Sequence, residues 1–150
     1  MKMSFVVPIV LSIFLGYFFG NFIYKEYDSM TKEYQASSVV YYLQQGVYKN
    51  DTNYKKRVRS LESYTAVLNN DKYYVYVGIT NSYSTALKIK NLYKEKGIEL
   101  YIKEDKIKND YFINDLNQYS NLLKNEKDFT KINSILKAVL ASYEENVLET

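Results

Sequence analysis

The chain has 150 residues, 20 Lys+Arg against 17 Asp+Glu, and a formal net charge of +3. That length allows one compact domain plus attachments. With neither Cys nor His, disulfides, thiolate or imidazole metal sites and His- or Cys-based catalysis are excluded. Tyr occurs 18 times and Trp is absent. The composition favours binding over catalysis, so the chain is expected not to be an enzyme and to carry no cofactor or metal.

Residues 5–24, FVVPIVLSIFLGYFFGNFIY, hold no charged side chain. As a helix they would rise about 30 Å, the thickness of a bilayer hydrocarbon core. Pro8 falls in the first turns, where a missing N–H costs little. Gly16 and Gly20 have the GxxxG spacing that lets membrane helices approach, or that is merely tolerated there. A cleaved signal peptide is the rival. Its apolar stretch is shorter and is followed by a small-x-small site, whereas this run ends in Asn21, Phe22, Ile23, Tyr24 and Lys25. Residues 1–24 are therefore expected to be a transmembrane helix in a lipid bilayer. The charges on its two flanks barely discriminate orientation. The expected topology has a short N-terminus and the C-terminal domain outside the cytoplasm. Residues 25–38, KEYDSMTKEYQASS, are polar without an apolar period and read as a tether.

The middle of the chain repeats itself. Tyr42-Leu43-Gln44-Gln45-Gly46-Val47-Tyr48 is similar to Tyr74-Val75-Tyr76-Val77-Gly78-Ile79-Thr80, with the glycines 32 residues apart. Cap-rich loops follow, Asn50-Asp51-Thr52-Asn53 in the first half and Asn81-Ser82 in the second. Tyr54, Val58 and Leu61 then mark one helix face, and Ala86, Ile89 and Tyr93 another, with Gly97 as a left-handed stop. Alternating runs close each half: Tyr64, Ala66, Leu68 and Ile98, Leu100, Ile102. The order βαββαβ predicts an α+β fold with a four-stranded antiparallel sheet and two helices on one face over residues 39–108.

Period-two geometry assigns the strand residues to sides. Leu43, Val47, Val75, Val77, Tyr64, Ala66, Leu68, Ile98, Leu100 and Ile102 are expected beneath the helices. Tyr42, Gln44, Tyr74, Tyr76, Glu99, Tyr101 and Lys103 are expected on the open side. A face with four tyrosines, an amide and a lysine suits a ligand with apolar faces and polar groups. Residues 39–108 carry 13 Lys+Arg against 7 Asp+Glu, a net +6, while 109–150 carry 4 against 7, a net −3. The basic middle suits an anionic polymer. The runs Lys55-Lys56-Arg57 and Lys88, Lys90, Lys94, Lys96 read as solvated helix faces.

Gln44-Gln45-Gly46-Val47-Tyr48 after a strand resembles the Q-x-G-small-aromatic signature of the sporulation-related repeat, the SPOR domain. YVYVG, Ala86, Ile89 and Gly97 are similar to that family's second half, so the resemblance covers roughly residues 39–105. It implies a bacterial module that binds peptidoglycan glycan strands denuded of stem peptides, on the open sheet face, in division or sporulation. It carries Gln44, Tyr74 and Tyr76 over as ligand contacts, with Tyr42, Tyr101 and Lys103 beside them on that face. The sequence departs from the family pattern at Gln45, which stands at an apolar core position, and at Thr80, which replaces an aromatic. Arg57 takes an inward-type helix position.

Beyond Asp110 the apolar period is helical again: Phe112, Leu116, Tyr119, Leu123, then Ile132, Leu136, Val139, Leu140, Tyr143 and Val147, with Asp128 as a cap. Residues 109–150 are expected to form an αα-hairpin. Its apolar faces either pack on the repeat domain or offer a groove to a protein partner. The rival to glycan binding is a membrane-anchored scaffold that binds protein partners through the α/β domain and the C-terminal helices. An RNA-binding sheet is the further rival. It lacks the family's K/R-G-F/Y-G/A-F-V-x-F/Y stretch, and an external position leaves no nucleic acid to bind.

Overall fold

Strand β1 (Ser38–Tyr48) lies inside a four-stranded antiparallel sheet of order β2-β3-β1-β4. The computed structural model describes residues 38–149. The elements that follow are α1 (Asp51–Arg57) with a 3₁₀ turn (Val58–Ser60), β2 (Thr65–Asn69), β3 (Lys72–Thr80), α2 (Tyr83–Glu95) and β4 (Tyr101–Ile107). Then come α3 (Asp110–Asn125), α4 (Phe129–Tyr143) and a π-helical turn (Glu144–Leu148). The expected α+β class and antiparallel open sheet are present. The expected membrane anchor at 1–24 and tether at 25–38 lie outside the described residues, except Ser38, which opens β1. Among the described residues no helix is long and apolar enough to cross a membrane.

Local chemistry fixes the joints. Asn50, Ser82, Asn109 and Asp128 cap α1, α2, α3 and α4, each side chain accepting from backbone N–H groups of the first turn. Asn70 and Asp71 both adopt positive φ, +50° and +57°, in the two-residue link between β2 and β3. That is the type I′ geometry matching the twist of a hairpin. At the end of α2, Gly97 takes φ +78°. Its N–H donates to the Lys94 carbonyl and that of Ile98 to the Tyr93 carbonyl, the Schellman pattern that satisfies a helix's last acceptors.

Two irregularities set the faces. The β1–β3 register shifts between Leu43 and Gln44 and again between Gln44 and Gly46. Each β-bulge adds a residue to one strand, so side-chain parity beyond it reverses. Val47 is consequently exposed rather than under the helices. Leu68 and Tyr64 are exposed too. In β2 Ala66 lies opposite Val75 on the expected side, while Thr65, opposite Tyr76 on the other side, is buried with its hydroxyl donating to Glu144. β4 starts at Tyr101, leaving Ile98 and Glu99 in the approach to it.

β2 is short. Its pairing with β3 ends at Thr65 opposite Tyr76, while β3 runs on to Thr80 with only β1 beside it. The C-terminal hairpin packs here. A Cβ on Gly78 would lie 2.6 Å from Leu136 of α4, so glycine is what lets the helix approach that strand. Thr80 hydrogen-bonds Ser120 of α3 at 3.3 Å, and Asn81 donates to Asn117 at 2.6 Å. The Thr80 departure is thus a buried polar tie between strand and hairpin.

The hairpin's apolar stripe contributes to both parts of the core. Leu123, Ile132 and Leu136 join Leu43, Val77, Ala86, Ile89 and Tyr93 under α2. Phe112, Leu116, Val139, Leu140 and Tyr143 join Val40, Tyr42, Tyr76, Ile79 and Ile107. Lys88 of α2 clamps the hairpin tip, its ammonium donating to the carbonyls of Leu123, Lys124 and Glu126. Burial holds that ammonium below the usual lysine range. Tyr93 reaches across to donate to Asn133 at 2.7 Å. Residues 109–149 therefore share one core with the repeat.

Candidate functional face

Cross-strand register brings the six expected site residues to one side of the sheet. Tyr42 is opposite Lys103, and Gln44 is opposite both Tyr101 and Tyr76. Tyr74 lies two residues along β3 from Tyr76, on the same side. Their rings and charges touch accordingly. The Tyr42 and Tyr76 centroids are 4.7 Å apart, and Lys103 Nζ lies 5.8 Å from the Tyr42 ring and 5.9 Å from the Tyr74 ring.

Only part of this side is accessible. Tyr42 and Tyr76 are each 5% exposed, which corrects the expectation of an open tyrosine platform there. The cause is the hairpin. Tyr143 from the end of α4 meets Tyr42 edge-on at 5.7 Å, and Phe112 of α3 packs on Tyr143 at 5.5 Å. The Tyr42 hydroxyl donates to that of Tyr143 at 3.4 Å. Burial and the neighbouring tyrosines raise the pKa of Tyr76 to about 12, and burial pushes that of Tyr42 higher. Both rings stay neutral and internal.

The remainder of the face is open. Tyr101 is 61% exposed. Gln44 and Tyr74 are half-buried, and the Lys103 side chain is 46% exposed. Lys103 is not a free cation, because Asp105 sits 3.4 Å from it. Period-two counting from Tyr101 and Lys103 reaches Asp105, so the signal for this partner was in the sequence. Nothing in the sequence marked Tyr143 as the cover of Tyr42. Glu99 lies outside the strand and lines a cleft with Lys90, Lys94, Leu100 and Tyr101. Along this surface the structure brings together flat rings, an amide and a cation held beside a carboxylate. Such a set stacks on apolar ring faces and exchanges hydrogen bonds with hydroxyl or amide groups.

The signature turn has its own logic. The Tyr48 ring folds over Gly46, where a Cβ would come within 2.6 Å of the Tyr48 hydroxyl oxygen. That hydroxyl donates to Gln45 Oε1 at 2.7 Å. Gln45 therefore holds the aromatic of the motif instead of filling the core. Arg57 points to solvent, and Val58 takes the buried position beside it. Comparison with known protein families, curated proteins and solved structures finds no match to this chain.

Proposed function

We propose that this protein is a non-catalytic, membrane-anchored binder of peptidoglycan glycan strands, holding its anchor near wall under remodelling in division or sporulation. The observation that carries the reading is the co-facial set Gln44, Tyr74, Tyr101 and Lys103 on the uncovered part of the sheet. Tyr74 and Tyr101 offer ring faces to sugar C–H surfaces. Gln44 supplies a donor and an acceptor for an acetamide. The Lys103–Asp105 pair offers a donor and an acceptor to hydroxyls, and Lys103 adds attraction for lactyl carboxylates. Tyr42 and Tyr76 support this surface from beneath the hairpin and are not contacts. The burial of the C-terminal helices' apolar stripe against the sheet favours this reading over a scaffold that offers those helices to a partner.

The test is retention on purified sacculi before and after amidase digestion, which removes stem peptides. Wild type should be retained more strongly after digestion. Tyr101→Ala and Gln44→Ala should each lower retention about tenfold, the equivalent of about 1.4 kcal/mol. Equal retention of wild type and variants, or indifference to amidase treatment, would sink the reading.

A further inference from the structure

At the far end of β1 from the hairpin contacts, Tyr48, Asn53, Lys56 and Arg57 line a cleft of about 560 Å³. Among the described residues lining it none is acidic. The basic run of α1 divides here. Lys55 pairs with Asp51 one helical turn away. Lys56 and Arg57 have no ion-pair partner among the described residues and lie on the cleft. Tyr48 is a fixed wall, because its hydroxyl is held by Gln45. Asn53 adds a side-chain amide. The guanidinium fork matches carboxylate or phosphate oxygens two at a time, and the lysine adds a point charge. A water-exposed pair of cations with no carboxylate among the described residues lining the cleft attracts such a group most strongly at low salt.

We propose that this cleft is a second subsite, taking an oxyanion, carboxylate or phosphate, carried on the wall polymer. The polymer's identity rests on the reading above; the oxyanion chemistry rests on the cleft alone. Gln44 and Tyr48 stand four residues apart on β1, at most about 13 Å of strand. One extended polymer thus reaches both sites by passing round the end of the sheet.

The experiment uses the full chain in detergent and amidase-treated sacculi as probe, at several salt concentrations. The doubly substituted Lys56→Gln, Arg57→Gln variant should lose about tenfold in retention at low salt and show a flatter salt dependence. Lys55→Gln should match wild type. Three sacculus preparations identify the source of the anion. Capping lactyl carboxylates as amides should bring wild type down to the double variant if the anion is a carboxylate. Stripping phosphodiester polymers with hydrofluoric acid should do so if it is a phosphate. The proposal is overturned if the double variant binds like wild type, or if neither treatment narrows the difference. The open-face reading fails separately, by unchanged retention of Tyr101→Ala. Both cations are exposed, so thermal unfolding of the double variant should be that of wild type.

Discussion

The two ends of one sheet face have the same kind of side chain and opposite fates. Around Tyr42 and Tyr76, tyrosines alternate with aliphatic residues, and they are interior because Phe112 and Tyr143 lie over them. At the other end the same alternation leaves the Tyr101 ring accessible, and Tyr74 is half-buried at the border of the closed cluster. Strand parity decides which side a residue takes. What else the chain packs there decides whether that side meets solvent. The short β2 leaves half of β3 without a second neighbour, and the hairpin's apolar stripe occupies that position.

The sharpest way to break this contrast is at the closed end. Phe112 is fully buried, and Phe112→Ala should cost about 3–5 kcal/mol of stability. Because hairpin and sheet share their core, urea unfolding should remain a single transition by circular dichroism and tyrosine fluorescence. Two separated transitions would make the hairpin an independent cover. The closed end would then be a site that opens, and glycan retention should rise in the variant.

Alkali probes the same contrast next. The pKa values of Tyr76 and Tyr93 are raised from 10.0 to about 12, chiefly by burial. A raised folded-state value means the unfolded chain releases the proton first. The stabilisation from neutral rings is complete below pH 10 and is lost as pH rises through about 12. Each ring should account for about 3 kcal/mol across that window. Absorbance titration should show the Tyr76 and Tyr93 rings ionising only with unfolding. A single early titration of all tyrosines would contradict the closed end.

Much of the fold was legible because its signals are local. Asn50, Ser82 and Asp128 act where cap chemistry placed them, Gly97 ends its helix, and the 32-residue repeat matches the succession βαββαβ along the chain. The misses have long-range or irregular causes. The register shifts at Gln44 and Gln45 move Val47 to the outside, and no hydrophobic pattern announces an added residue. The stripe Phe112, Leu116, Val139, Tyr143 said that something must be buried there, not against which surface. Tyrosine hides the answer further, since its ring suits a core and its hydroxyl suits a rim. Tyr42 and Tyr101 were therefore indistinguishable by residue type.

At the open end, substitution should separate binding from stability. Tyr101→Ala should change unfolding free energy by no more than about 0.5 kcal/mol, as exposed positions do, while retention on amidase-treated sacculi falls about tenfold. A comparable loss of stability would make Tyr101 a structural residue and move the ligand elsewhere.

The finest distinction is a single oxygen. Tyr42→Phe keeps the ring that packs on Tyr76 and removes the hydroxyl that donates to Tyr143. The bond is long, 3.4 Å, so its loss should cost about 0.5–1 kcal/mol in chemical denaturation. Retention should not change, because no ligand reaches that oxygen while Tyr143 covers it. Tyr143→Phe should leave retention unchanged as well, and the pair of substitutions should cost less than the sum of the singles, since the second removes a partner already lost. If Tyr42→Phe instead weakens retention as far as Tyr101→Ala does, the hydroxyl touches the ligand. The hairpin must then swing aside during binding, and the closed end is half of a site rather than its foundation.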